Sequence, residues 1–469
     1  MNKRLVIGAI IVCLLASPGV RPQDRTPAVQ APAAFRGTEN PNAAPDARSL
    51  ADLKWFELFK DPQLQELIRT ALAENYDLRD AVARVSAARA NLGITRADQF
   101  PTITASADLT TSRNSASGQF PLAQGVNQKR TFGSVLLNLL SFEIDIWGRL
   151  RRQTAVARAQ LRASEEDRKA VMTTLVGDVA TAYFNLLELD MELEIAKRTL
   201  ATREDSLRLI RVRQQGGVAT MLDVRQAEQL VYTASQTIPD TERLIEQTEN
   251  QISLLIGRNP GPIRRGQVLT AQEQPPSVPT GLPSSLLERR PDIKAAEQTL
   301  AAAKANIGVA RAAYFPQISL TGLFGGESNQ LSSLFKGPTR VWQFVPQVAQ
   351  PIFTGGRLKS NVNLARAQQQ IALVQYEKTI QTAFREVSDA LVQYRKVKEI
   401  RTQQESLVTT LQDRRRLAYM RYQGGVDTLL NALDADRDLF SAELSLAQTR
   451  RDELLALVQL YKALGGGWQ

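Results

Sequence analysis

Histidine is missing from all 469 residues, and cysteine occurs once, at Cys13. The first absence excludes His-based triads and His metal ligands. The second excludes CxxC redox pairs, Cys metal clusters and any disulfide within one chain. No phosphate-cradling loop is present either, so an enzyme is the weakest of the function classes. Beyond the N-terminus no run approaches the ~18 consecutive apolar residues of a transmembrane helix. Glycine and proline are both missing from Arg357 to Gln423, a stretch of 67 residues that ends at Gly424-Gly425.

That stretch would form a helix about 100 Å long. Its apolar positions advance in steps of three and four: Leu373, Tyr376, Ile380, Ala383, Val387, Ala390, Tyr394 and Val397. This is a heptad seam, which packs helices along their length. Arg149 to Gln215 is a second stretch of 67 residues, free of Pro and with Gly177 as its only Gly. Its seam runs through Met172, Leu175, Val179, Ala182, Leu186, Leu189, Leu193, Ala196 and Leu200. Gly216-Gly217 turns the chain, and Val218 to Ile256 reads as a returning helix interrupted at Pro239.

The two halves repeat. Ala90-Asn91-Leu92-Gly93 returns as Ala305-Asn306-Ile307-Gly308, and Phe100-Pro101 as Phe315-Pro316, at an offset of 215. Gly148-Arg149-Leu150 returns as Gly356-Arg357-Leu358, Gln215 to Val218 as Gln423 to Val426, and Gly257 as Gly465, at an offset of 208. The chain is a tandem duplication whose difference of seven residues falls between the strands.

Between the helices the period changes to two. Ile103, Ala105, Ala107 and Leu109 alternate with Thr104, Ser106 and Asp108, and a second alternating run spans about Thr131 to Ile146. In the second copy Ile318, Leu320, Gly322 and Phe324 alternate with Ser319, Thr321 and Leu323; a further strand lies near Val341 to Ile352 despite Pro346 and Pro351. A helix is expected from Asp61-Pro62 to Phe100-Pro101. On period alone the strands fit either a small soluble sheet with one wet face or tilted membrane strands of ~9–11 residues.

Asn2-Lys3-Arg4, the apolar run Leu5 to Ala16 and Ser17-Pro18-Gly19 read as an export signal. Export favours the membrane reading. Four strands cannot close a barrel and open edges are not tolerated in lipid, so several copies must share one. Two copies give eight strands filled by side chains, and three give twelve, enough for a pore. The formal charge of +10 invites a nucleic-acid reading. Its Lys and Arg lie among Glu, Asp and Gln along solvated helix faces, with Arg414-Arg415-Arg416 as the only run of three, so no nucleic-acid partner is expected.

Five segments carry a family resemblance: Asp61-Pro-Gln-Leu-Gln-Glu-Leu-Ile, Gly281-Leu-Pro-Ser-Ser-Leu-Leu-Glu-Arg-Arg-Pro-Asp-Ile, Ala312-Ala-Tyr-Phe-Pro-Gln-Ile-Ser-Leu, Gln375-Tyr-Glu-Lys-Thr-Ile-Gln-Thr-Ala-Phe and Tyr461-Lys-Ala-Leu-Gly-Gly-Gly-Trp. From about residue 50 onward the chain resembles the TolC-type outer membrane factors, in particular the NodT/OprM-like efflux channels. The resemblance implies a mainly α fold with a small β part: a long α-helical barrel plus a membrane β-barrel shared between protomers, four strands from each. It also implies a homotrimer in the outer membrane lipid, a periplasmic adaptor and an inner-membrane RND-type transporter as partners, and no cofactor or metal. The cargo would be small molecules, drugs or toxic compounds, carried passively. A periplasmic adaptor and a coiled-coil scaffold are the alternatives; the first has one hairpin where this chain has two, and the second has no use for the strands.

The expected division is a signal peptide (1–19), a linker (20–50), helices of the first repeat (51–100), strands (101–147), hairpin one (148–257), a connector (258–283), the second repeat's helix (284–315), strands (316–355), hairpin two (356–464) and a tail (465–469). Related channels often carry a lipidated Cys after the signal. Here Leu14-Leu15-Ala16 precedes Ser17, and Ile-Ile-Val precedes Cys13, so ordinary cleavage near Ala16 to Gly19 is expected.

The resemblance puts a gate at the second hairpin tip. Asp434 matches a carboxylate ring at the periplasmic mouth, Leu430 the apolar constriction beside it, and Arg421, Tyr422 and Asp427 residues that tie neighbouring coils shut. Copies of Asp434 brought together by symmetry would attract cations. All five would otherwise be ordinary solvated tip residues. Gly216, Gly217, Gly424 and Gly425 read as turn formers accepting φ > 0. Val218 and Val426 are candidates for adaptor contact or, equally, for stapling the hairpin.

Overall fold

The computed structural model describes residues 35–36, 49–115, 127–272 and 283–468, all within the unit Ala33–Gln469. The expected signal, most of the linker, part of the connector and the last residue lie outside the described residues. In chain order the main elements are α1 (Pro62–Glu74), α2 (Tyr76–Ala97), β1 (Ile103–Arg113), β2 (Lys129–Glu143), α3 (Arg149–Gln215) and α4 (Met221–Leu255). They are followed by α5 (Pro291–Ala312), β3 (Gln317–Ser328), β4 (Arg340–Ala349), α6 (Arg357–Gln423) and α7 (Leu429–Ala463). The duplication is visible in the element lengths: α3 and α6 have 67 residues each, α4 and α7 have 35 each.

The helical seams are buried where the spacing places them. Leu175, Val179, Ala182, Leu186, Leu189 and Ala196 of α3 and Ile380, Ala383, Val387, Ala390 and Tyr394 of α6 are enclosed. The most apolar window of α3, long enough to cross a membrane, is 61% buried within the fold, where a core helix puts such surface. α7 packs against α3 at Gly177, where a Cβ would meet Lys462 Cδ at 3.4 Å and Val458 Cγ1 at 3.8 Å, ordinary contacts that do not require the glycine.

Two helices depart from expectation. The helix expected from Asp61 to Phe100 is broken at Asn75, whose extended backbone ends α1 while its side chain accepts the Leu78 N–H at 2.9 Å and caps α2. Its Nδ2 donates to Leu255 O at 2.9 Å, so the break is anchored to the end of α4. Conversely, α4 runs unbroken through Pro239, because losing one backbone hydrogen bond does not end a helix packed along its length.

Motif residues lock the helix ends together. The buried Asp61 caps α1 and accepts from Tyr183 Oη, Gln267 N and Gln272 Nε2, each at 2.9 Å. Burial would raise its pKa; those hydrogen bonds outweigh burial and hold the carboxyl below its ordinary value. Arg290 donates to Ala463 O at 3.1 Å and pairs with Asp292 and Glu386, and Tyr461 Oη donates to Leu53 O at 2.8 Å.

The four strands form one antiparallel sheet in the order β1-β2-β3-β4. β2 ends at Glu143 rather than Ile146, and Asp145 beyond it accepts from Leu150 N and Arg151 N to start α3. The register lines up the apolar positions. Ile103 faces Leu139, Leu139 faces Gly322 and Gly322 faces Phe344; Ala105, Leu137, Phe324 and Trp342 make the next such row. Ser106 and Asn138 lie on the other face, joined by a 3.0 Å hydrogen bond. The rows are also staggered. Ile103 is level with Phe344, five residues before the end of β4 at Ala349, and Arg340 is level with Ala107, six residues before the end of β1 at Arg113. Similar steps at both ends are the mark of tilted barrel strands.

Candidate functional site

At the hairpin tips the two glycine pairs behave asymmetrically. Gly217 and Gly425 are left-handed, with φ of 75° and 72°. Gly216 and Gly424 have φ of −78° and −74°, so the φ > 0 expected of them is corrected: only the second glycine of each pair needs its freedom. Val218 N donates to Arg213 O and Val426 N to Arg421 O, closing each helix in a Schellman-type turn. Val218 and Val426 are 69% and 66% exposed, so neither valine is covered by its own hairpin.

The returning helices start differently in the two copies. In α4, Thr220 and Asp223 form a reciprocal capping box. The corresponding residues before and within α7 are Thr428 and Asn431, and the box is lost. Asp427 takes over, accepting from Thr428 N at 2.8 Å, Asn431 Nδ2 at 2.6 Å and Arg421 Nε at 3.1 Å. Asn431, Arg421 and the Thr428 N–H together hold its carboxyl below the usual range. Tyr422 packs on an apolar cluster that includes Leu207, Ile210, Leu230, Leu429 and Leu433, and its ring lies 4.8 Å from the Arg213 guanidinium of the other hairpin. Thus Arg421 and Asp427 pair within one hairpin, whereas Tyr422 reaches across to its neighbour.

Leu430, Asp434 and Arg437 lie at i, i+4 and i+7 on the outward face of α7. Leu430 is exposed, Asp434 is half-buried, and Arg437 Nη1 is 3.2 Å from Asp434 Oδ1. The opposite face holds a site that the sequence reading missed. Asp436 accepts from Arg203 Nε and from Arg415 Nε, both at 2.7 Å, and Arg203 also donates to Leu230 O at 2.8 Å. The Arg203 guanidinium lies 4.8 Å from the Phe440 ring. One carboxylate thereby links α3, α4, α6 and α7. Its signal was phase: Leu429, Leu433, Asp436 and Phe440 step by four, three and four, as a buried seam does.

Farther from the tip, Glu188 of α3 is buried beside Arg451 of α7 at 3.1 Å. Burial, reinforced by the neighbouring Glu192 carboxylate, pushes its pKa up to about 8. Among the described residues no group of three or more His, Cys, Asp or Glu is placed to hold a metal.

The outer membrane efflux protein family model matches residues 67–258 and 282–466, one match for each repeat. The chain belongs to this family. It is 39% identical over 472 residues to the toluene efflux pump outer membrane protein TtgC of Pseudomonas putida, covering 100% of this chain and 96% of that protein. It is equally similar, 39% over 472 residues, to the antibiotic efflux pump outer membrane protein ArpC of the same species. Among solved structures, the open state of the Neisseria gonorrhoeae MtrE outer membrane channel superposes with a TM-score of 0.85 at 34% identity, over 96% of this chain and 98% of that one. As an outer membrane efflux protein the chain is the outer-membrane channel component of an efflux system in a Gram-negative cell, extending into the periplasm. Its fold is the one that such channels share, a long helical barrel part with a small β domain.

Proposed function

We propose that this efflux protein works as a passive homotrimer, with a twelve-stranded barrel built from four strands of each copy, and has no catalytic residues of its own. The observation that carries this reading is the sheet register. It gathers an almost wholly apolar stripe through Ile103, Leu137, Leu139, Phe324, Trp342 and Phe344 on one face, sets Thr104, Ser106, Asn138 and Gln343 among Leu136, Leu323 and Val345 on the other, and leaves β1 and β4 as edges. An edge in hydrocarbon leaves backbone groups unsatisfied at several kcal/mol each, whereas joining β4 of one copy to β1 of the next satisfies them.

Energy then comes from an inner-membrane RND-type transporter through a periplasmic adaptor. The exposed Val218 and Val426, held by the turns Gly216-Gly217 and Gly424-Gly425, are the surface offered to that adaptor. Leu430 and Asp434 form the constriction, with Arg421, Tyr422 and Asp427 holding the second tip in shape. The cargo is small apolar or amphipathic compounds, in keeping with relatives named for toluene and antibiotic efflux. Residues 1–19 are the export signal, and the domain limits are those set by the repeat. Purified protein added to planar bilayers should give discrete conductance steps with cation preference; lipid bilayers that stay silent would overturn the reading.

A further inference from the structure

We infer that the outer rim of the sheet binds the phosphate groups of a phosphorylated, acylated glycolipid in the outer leaflet. This rests on the proposed assignment of the apolar stripe to lipid. The alternation places Arg113 on the same face as Ile103, Ala105, Ala107 and Leu109. Lys129, directly opposite Arg113, lies on the face of Val135, Leu137 and Leu139. Arg340 starts the stripe that continues through Trp342, Phe344 and Val348. Three strands thus end their lipid-side stripe in an exposed cation, at the end away from the helices.

Several features point to an anionic partner. Like charges directly opposite each other on two strands are destabilising, yet Arg113 and Lys129 form such a pair. None of the three bases has an ion pair among the described residues. The carboxylates of this half of the sheet, Asp108 and Glu327, both stand opposite Ser134 and so lie on the other, polar face. Residues 114–128, which connect β1 to β2, carry no charge at all. At the helix end the same stripe closes instead on Ile103, Phe142, Ile318 and Val348, so the basic rim is confined to one end.

The seam between copies completes the surface. Because barrel strands tilt, that stagger brings the end of β1 at Arg113 and the start of β4 at Arg340 to similar heights across the membrane, and joining β4 to the next copy's β1 sets the two strand ends side by side. Two guanidinium groups and an ammonium then converge, a donor set that matches phosphate oxygens. Trp342, the next stripe residue inward from Arg340 and 76% exposed, lies where an indole meets acyl chains just below headgroups. The partner is therefore a lipid with both phosphates and acyl chains.

The test is native mass spectrometry of the full chain in detergent, titrated with bisphosphoryl lipid A, its dephosphorylated form, and phosphatidylglycerol. Bisphosphoryl lipid A should be retained best. The triple variant Arg113→Gln/Lys129→Gln/Arg340→Gln should bind it about tenfold more weakly or worse. Arg130→Gln should leave lipid retention unchanged, because Arg130 stands opposite Ser112 on the polar face. Equal retention of the dephosphorylated form or of phosphatidylglycerol overturns the inference, as does undiminished retention by the triple variant. If the triple variant does not assemble, Arg340→Gln and Lys129→Gln are tested singly, each with a smaller loss expected. Conductance of the same proteins in planar bilayers separates the readings: open channels without glycolipid retention sink this inference alone.

Discussion

Arg203 Nε lies 2.7 Å from Asp436 Oδ2, and the two side chains are only 3% and 6% exposed. The pair joins the first hairpin to the second just above the apolar cluster at the tip. Arg415, which holds the other oxygen of Asp436, is 30% exposed and reaches water. The two ends of the link are therefore unequal.

Asp436→Asn should destabilise the assembled protein by about 3–5 kcal/mol, since it leaves Arg203 buried without a counter-charge. Arg203→Met should cost less, because Asp436 keeps Arg415. The double variant Arg203→Met/Asp436→Leu should be more stable than Asp436→Asn alone. The temperature at which the folded oligomer band is lost on gels, compared across the three variants, checks this order.

The turn glycines give a sharper contrast. Gly217→Ala and Gly425→Ala force an alanine into left-handed backbone and should each lose about 1–2 kcal/mol. Gly216→Ala and Gly424→Ala have ordinary φ, with nearest atoms at 3.6 Å and 3.4 Å, and should be close to neutral. Thermal melting and limited proteolysis at the tips report both.

Much of this architecture was legible because long helices and their seams are local patterns. The limits of both helices of 67 residues, and the two glycine turns, follow from punctuation and heptad phase in the sequence. What was not legible depends on distant partners. Asn75 breaks a helix because Leu255 O awaits its side chain, and Pro239 does not break one because packing along α4 outweighs a lost bond. Heptad phase sets Asp436 on the seam, unlike Asp434 and Asp438, but its partner Arg203, far away in the chain, has no local signal. The strand ends were blurred for a similar reason: Asp145 belongs to the cap of α3, not to β2.

Glu188 predicts a pH dependence. Its folded pKa, about 8, lies above its unfolded value, so the folded state binds the extra proton between the two. Stability is then greatest below the unfolded pKa and falls as pH rises from there through about 8. Arg451 opposes this and Glu192 reinforces it. Glu188→Gln should raise thermal stability at pH 9 relative to the parent and change little at pH 4, with melts at both pH values as the check. A parent and variant with parallel pH profiles would remove Glu188 from this role.

At the proposed constriction, Asp434→Ala should weaken cation preference in single-channel recordings, and Leu430→Ala should raise conductance. Asp427→Ala acts differently, because its partners Arg421, Asn431 and Thr428 N are all local: it should loosen the α7 cap and increase proteolysis at the tip. Unchanged ion preference in Asp434→Ala would remove that residue from the gate.

The most direct measurement is the shape and mass of the purified full chain in detergent, by electron-microscope imaging with mass determination. The expected result is a trimer with a three-fold hollow end view and a helical section about 100 Å long. A water-soluble monomer that does not partition into lipid would contradict it, because a four-stranded sheet with two open edges and an apolar face would then be managing alone in water.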